Sequence, residues 1–310
     1  MTTTQNHQLD VVQVGAPLVI TFGFYAASGP GEFELLGRLR NLEQASGRPL
    51  NKLLVRDPSM RWYLGGIDGL GHDVSSTVEA LREQVEAVAP SAVVTVGQSM
   101  GGYAAILYGA LLRVDKVVSF GTLSCFDRRL WSIIGDHRWG PVLDAVERSG
   151  LDIADHADLP ALLARQHDPQ PDIDLVFGLS AGEGIDIGTA IGHDGAHAVR
   201  FAGRRNVSIL PIAHSGHAVV EHFRAGGVLT AVLAQRLFGT SLVPTIRGLR
   251  DDGWVAWLED NLRLGSTVAD LVPVMRGNGL TDEQAQHLVD RAHLLADLTG
   301  LEEHPPRTTV

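Results

Sequence analysis

The stretch Ala92-Val93-Val94-Thr95-Val96-Gly97-Gln98-Ser99-Met100-Gly101-Gly102-Tyr103-Ala104-Ala105-Ile106-Leu107-Tyr108-Gly109-Ala110 reads as a strand, a turn and a helix. Its β-branched apolar run ends at Gly97, and a helical pattern with small residues on its early turns starts just after Ser99. A backbone that leaves a strand and enters a helix within one residue folds back on itself, so the positions two before and two after Ser99 have little room for a Cβ. Both are glycine, Gly97 and Gly101.

A serine on such a turn projects its hydroxyl from the carboxyl edge of the sheet. There it stands above the amino terminus of the helix, where free N–H groups and the helix dipole favour negative charge. Gly97-x-Ser99-x-Gly101 is the spacing of a nucleophile elbow, and the N–H of Met100 would supply half of an oxyanion hole. A second copy of the spacing, Gly178-Leu179-Ser180-Ala181-Gly182, also follows an apolar run, Ile173 to Phe177. The residues after it, Glu183-Gly184-Ile185-Asp186-Ile187-Gly188, cannot hold a helix, so Ser99 is the candidate nucleophile in preference to Ser180.

Working outward, Val11 to Val14 and Leu18 to Phe22 read as two strands split by Gly15-Ala16-Pro17. The loop after Phe22 would donate the second oxyanion N–H from Phe24, or would be a plain connection to the next helix. Lys52 to Val55 is a strand closed by Arg56-Asp57-Pro58; Asp57 either caps that turn or faces a ligand at the sheet edge. Thr77 to Val88 carries apolar residues at Val78, Leu81, Val85 and Val88, the spacing of an amphipathic helix. Lys116 to Phe120 reads as another buried strand, and the sheet resumes at Ile173 to Phe177 and again at Val207 to Ile212. Strands alternating with helices predict an α/β fold with a doubly wound, mostly parallel sheet. Between Gly121 and Asp172 only short helical patterns occur, over Asp127 to Ile134, Pro141 to Arg148 and Leu159 to Ala164, and they read as a lid inserted above the nucleophile.

A serine needs a base and an orienting acid. His217 follows a turn glycine and is expected to open the helix after the last strand, which lets its ring lean back over the sheet edge toward Ser99; His214 is the alternative. Asp194 is the predicted acid, with Asp186 nearer its strand and Asp127 after the previous strand as alternatives. The order Ser, acid, His is that of the elbow enzymes. His193 with His197 and His214 with His217 have helical spacing that raises a metal site, but no cysteine or HExxH motif accompanies them, and the chemistry needs no metal or organic cofactor.

The 310 residues are 45% hydrophobic and 20% charged, the balance of a globular chain with a sizeable core. A formal charge of −11 argues against nucleic acid or an anionic membrane as partner, since both need a basic face. One cysteine, Cys125, allows no internal disulfide, and the polar amino terminus carries no signal-like segment, so a cytoplasmic location is expected.

The motifs Arg56-Asp57-Pro58 with Trp62-Tyr63, Gly97-Gln98-Ser99-Met100-Gly101-Gly102-Tyr103, Asp194-x-x-His197-Ala198 and Gly216-His217 give residues from about 17 to 235 a resemblance to the α/β-hydrolase superfamily. Within it the chain resembles a bacterial branch met beside glycan and cell-surface polysaccharide functions, and departs from it by a longer glycine-rich segment, Leu179 to Gly192. The resemblance implies a serine hydrolase acting on an acyl ester of a small molecule, glycan or peptide. An acyltransferase or peptidase using the same triad and a noncatalytic binding module are the alternatives. The implied organisation is a hydrolase domain over 1–239 with a lid at about 123–172, a linker at 240–248, a helical unit at 249–300 and a loose tail at 301–310. The helical unit is similar to small segments attached to some bacterial hydroxylases and is the expected surface for a protein or peptide partner.

Overall fold

Seven short apolar runs assemble into one sheet. In the computed structural model, which describes residues 6–25, 33–179, 192–212, 215–239, 251–263 and 266–299, the strands are β1 (His7–Asp10), β2 (Leu18–Phe22), β3 (Asn51–Val55), β4 (Val93–Gln98), β5 (Lys116–Phe120), β6 (Asp172–Gly178) and β7 (Val207–Ile212). Their order is β1-β3-β2-β4-β5-β6-β7. Only β1 runs antiparallel to its neighbour; every other pair is parallel. β2 and β3 are buried along their whole length, and β4 at all but its two end residues, as a sheet covered on both faces requires. The chain leaves β2 toward β3 on one side and returns to β4 on the other, so the strand order reverses at β2. A crevice opens outside the carboxyl ends of the strands at such a reversal.

The helices that alternate with these strands are α1 (Leu36–Ser46), α2 (Val74–Val88), α3 (Met100–Leu112), then α4 (Arg128–Ile134), α5 (Gly140–Arg148) and α6 (Leu159–Arg165) between β5 and β6, and α7 (Gly192–Ala198) before β7; α8 (Val219–Ala225) follows β7. Every residue of α3 from Met100 to Ala110 is buried, and its small residues let it lie close on the sheet. A Cβ on Gly102 would stand 2.7 Å from the Ser119 hydroxyl, and one on Gly109 would stand 2.7 Å from Val117. The core gathers Ile20, Phe22, Leu53, Tyr63, Ile106 and Val117, together with Trp131, Leu143 and Leu163 from α4, α5 and α6.

The first strand is not where the apolar pattern puts it. β1 is His7–Asp10, whereas Val11, Val12 and Val14 are 47%, 52% and 76% exposed. The buried Asn51 side chain accepts the N–H groups of Val12 (2.8 Å) and Gln13 (3.1 Å), bonds that bend the backbone away from the ladder. The four residues of β1 are exposed or half-buried, so this strand carries little apolar signal.

The chain divides into two compact units, Met1–Val220 and Glu221–Val310. The second contains α9 (Leu229–Phe238), α10 (Asp251–Arg263), α11 (Val268–Gly277) and α12 (Asp282–Thr299). Trp254, Leu258, Leu271, Met275, Leu288 and Val289 form a core of its own between α10, α11 and α12. Thr281 and Gln284 exchange backbone-to-side-chain bonds at the start of α12, a capping box legible in the sequence. Thr267 and Asp270 do the same for α11. Among the described residues no helix is long and apolar enough to cross a membrane.

Candidate active site

β4 ends at Gln98 and α3 begins at Met100, leaving Ser99 alone to make the turn at φ 54° and ψ −116°. Such a backbone costs an L residue on the order of 1–3 kcal/mol and persists only when its surroundings enforce it. Here the Ser99 N–H donates to the Phe120 carbonyl (2.8 Å) and its own carbonyl accepts from Tyr103 (3.0 Å). A Cβ on Gly97 would lie 2.2 Å from the Gly101 oxygen, and one on Gly101 would lie 2.1 Å from the Phe22 oxygen. Both glycines are sterically obligatory. The second contact also sets the end of β2, and the Phe24 segment that leaves it, against the elbow.

His217 occupies a bend two residues ahead of α8. Two contacts bring it over the sheet. A Cβ on Gly178 would stand 2.1 Å from the Ser215 oxygen, so this glycine lets the histidine loop cross the end of β6. The Gln98 side chain, next to the nucleophile, accepts the N–H of Val220 (2.8 Å) and anchors the start of α8. Asp194 lies in the first turn of α7 and is 4% exposed.

The three side chains meet. His217 Nε2 is 2.9 Å from Ser99 Oγ, and His217 Nδ1 is 2.7 Å from Asp194 Oδ2. An ionised carboxylate only accepts, so Nδ1–H donates to Asp194, and Nε2 is left with a lone pair for the Ser99 hydroxyl. Gly121, at φ 54°, makes room for the pair: a Cβ there would lie 3.2 Å from Asp194 Oδ2 and 3.3 Å from His217 Nδ1. Burial raises the Asp194 carboxyl, but the hydrogen bond from His217 and the Arg138 guanidinium outweigh it and hold the group below the usual carboxylate range.

Arg138, between α4 and α5, donates to Asp194 Oδ1 (2.8 Å), and the next residue, Trp139, places its ring 5.5 Å from that of His217. The insertion predicted as a lid therefore touches both Asp194 and His217. Trp139 also meets Trp62 at 5.4 Å and Tyr25 at 6.1 Å, giving this side of the histidine an aromatic wall.

Asp57 caps its turn. It accepts from the N–H groups of Ser59, Arg61 and Tyr63, each at 2.9 Å, and from the Ser59 hydroxyl. The turn thus fixed delivers the buried Tyr63, whose hydroxyl donates to the Gly23 carbonyl at 2.9 Å. A trans peptide is planar, so holding that carbonyl fixes the Phe24 N–H in the opposite direction. Met100, buried, supplies its N–H from the first turn of α3.

Of the alternatives, Asp127 spends its carboxylate as the N-cap of α4, accepting from Arg129 and Leu130. Ser180, Asp186 and His214 lie outside the described residues. His197 bonds through Nδ1 to Ser124, with its Nε2 3.4 Å from Asp136. Among the described residues no cluster of three or more His, Cys, Asp and Glu side chains is arranged to hold a metal ion. The sequence reading missed Arg138, Asp136, Trp139 and Gln98. Gln98 alone carried a signal, by adjacency to Ser99; the others lie in an insertion without periodicity.

No protein-family model and no curated protein matches this sequence. Among solved structures, a glycosylation-associated protein complex from Streptococcus agalactiae aligns at 15% identity and TM-score 0.49, over 75% of this chain and 44% of that one. This chain thus spans less than half the length of that neighbour. An S-formylglutathione hydrolase from Agrobacterium tumefaciens aligns at 14% identity and TM-score 0.48, over 73% and 86% of the two chains. An α/β-hydrolase enzyme from a lagoon-sediment metagenome aligns at 17% and 0.44, over 75% and 95%. The deciding observation is internal: the strand order reverses at β2, a lone antiparallel strand closes one edge, and a Gly-x-Ser-x-Gly elbow follows β4. The chain has the α/β-hydrolase fold. In this hydrolase fold the elbow, the acid-bearing α7 and the histidine loop all lie at the carboxyl ends of the strands, in one compact unit.

Proposed function

We propose that the protein is a serine hydrolase of esterase type, with Ser99 as nucleophile, His217 as general base and Asp194 as the orienting acid. The observation that carries this reading is the pair of hydrogen bonds linking Ser99 to His217 (2.9 Å) and His217 to Asp194 (2.7 Å) at a strained elbow.

His217 Nε2 takes the Ser99 proton as Oγ attacks the ester carbonyl. The resulting oxyanion is met by the N–H groups of Met100 and Phe24, and Asp194 stabilises the imidazolium. Collapse of the tetrahedral intermediate expels the alcohol, which receives the proton from His217, and leaves an acyl ester on Ser99. Water then attacks that ester by the same route and releases the acid.

A fluorophosphonate probe, with the labelled peptide mapped by mass, tests the assignment. Ser99 is expected to carry the label, and Ser99→Ala to lose both label and hydrolysis of acyl esters of graded chain length. Labelling that survives Ser99→Ala would overturn it. Sugar hydroxyls or amines added to the ester assay separate hydrolysis from transfer: an acyl-acceptor product formed at the expense of free acid would assign acyl transfer on the same residues.

A further inference from the structure

The acid of the site is held from two sides, and only one of them is the histidine. Asp194 gives Oδ2 to His217 and Oδ1 to Arg138, both at hydrogen-bonding distance. Arg138 is itself locked: Nε and Nη2 fork onto the two oxygens of Asp136 at 2.9 and 2.8 Å, and its backbone N–H reaches Asp136 Oδ1 at 3.1 Å. Asp136 has a wholly buried side chain, with His197 Nε2 3.4 Å from its Oδ2. His197 is fixed in turn by the N–H and hydroxyl of Ser124. Moving Arg138 would strip two buried carboxylates of their cation.

We propose, resting on the triad reading above, that Arg138 is a positioning residue that pins Asp194 in register with His217 and sets the pH at which His217 can act as base. The charged and titratable groups facing this pair are Asp136 and Arg138 from the insertion and His193, Asp194 and His197 from α7; the Trp139 ring lies against His217 and is neutral. With the histidines neutral, these groups sum to one negative charge. Deleting the guanidinium leaves two, which favours the imidazolium, so His217 loses its proton only at higher pH. Deleting the Asp136 charge leaves none and acts in the opposite direction. A side chain that merely braced the insertion would lower the rate at every pH and leave the midpoint alone.

The test follows the rate of Ser99 labelling by a fluorophosphonate in the full-length protein from pH 5 to 9, which needs no knowledge of the substrate. Arg138→Met is expected to raise the half-maximal pH by about two units, the size Coulomb's law gives for a unit charge several Å away at an effective dielectric of about 20. Its plateau rate is expected to fall about tenfold, the loss that follows from a loosened triad geometry. Arg138→Lys keeps the charge without the fork. It should return the midpoint to that of the wild type with an intermediate plateau. Asp136→Asn should lower the midpoint, and it decides the matter if Arg138→Met fails to fold. An unmoved midpoint in a folded Arg138→Met protein, or in Asp136→Asn, overturns the inference while leaving the triad standing. A wild-type protein that is not labelled at Ser99 overturns the triad reading and this one with it.

Discussion

Ser99 sits at φ 54°, and the contacts that force it there also aim its hydroxyl at His217. The same economy governs Asp194, whose two oxygens face two donors of different character. Asp194→Asn turns this into a prediction. Arg138 only donates, so the amide oxygen must face it, which leaves the NH₂ facing His217 Nδ1. That nitrogen must then accept, the ring proton moves to Nε2, and the base meets the Ser99 hydroxyl with a proton already in place. The expected loss in kcat is about 10³- to 10⁴-fold with little change in thermal stability, read by ester hydrolysis and thermal melting. Tyr63→Phe removes the hydroxyl that holds the Gly23 carbonyl, so the Phe24 N–H is no longer held in direction. A fall of about tenfold in kcat with KM nearly unchanged is expected, as for a weakened oxyanion donor. Ser99 and His217 could be singled out in the sequence because elbow spacing and a turn glycine before a histidine are local patterns, whereas Asp194 had Asp186 and Asp127 as rivals. Arg138 was not, because a long side chain reaching across from an insertion leaves no mark at the position it reaches.

Among the elements, β5 and β7 have the bounds their apolar runs predict, and α10, α11 and α12 fall within the stretch expected to be helical. The β5 run is buried almost throughout, whereas β7 keeps its apolar pattern although it is only half-buried at the edge of the sheet. α7 was harder: Gly-His-Asp-Gly-Ala-His-Ala has no apolar stripe, and its residues are buried by the close approach of neighbours. The prediction at this scale concerns the elbow and its packing on β2. Gly101→Ala drives a methyl to within 2.1 Å of the Phe22 carbonyl, which neither β2 nor α3 can relieve without moving backbone. It is expected to cost about 3 kcal/mol or more, a fall in melting temperature of roughly 10 °C. Gly37→Ala is the control: it lies in the first turn of α1, meets nothing within 4 Å, and should be neutral or slightly stabilising. Equal melting temperatures for the two variants would contradict the steric account.

At the scale of the whole molecule, the groups that punish acid are unevenly distributed. In the unit Met1–Val220, burial lowers His156 and His193 below the usual histidine range. Asp136 and Asp194 lie below the usual carboxylate range despite burial, because Arg138 and the neighbouring histidines favour their charged forms. All four are depressed in the folded chain, so each contributes stability that is present above its unfolded value and is lost as pH falls through its folded one. For the histidines that loss begins below about pH 6.5, and for the carboxylates below about pH 4. In Glu221–Val310 the one described group with a resolved depression besides surface pairing is Asp270, held down by Thr267, and it is fully exposed, so little stability rides on it. The first unit should therefore weaken in two stages between pH 7 and 3 while the α10–α12 core changes far less. Urea titrations at several pH values, each sampled by a hydrogen-exchange pulse at one fixed pH, separate peptides of β2–β6 from those of α10–α12. The midpoint for the sheet peptides should fall first below pH 6.5 and again below pH 4, and His193→Gln should flatten the first step. Parallel decline of both sets, or a sheet midpoint indifferent to pH, would contradict the assignment of acid sensitivity to these four groups.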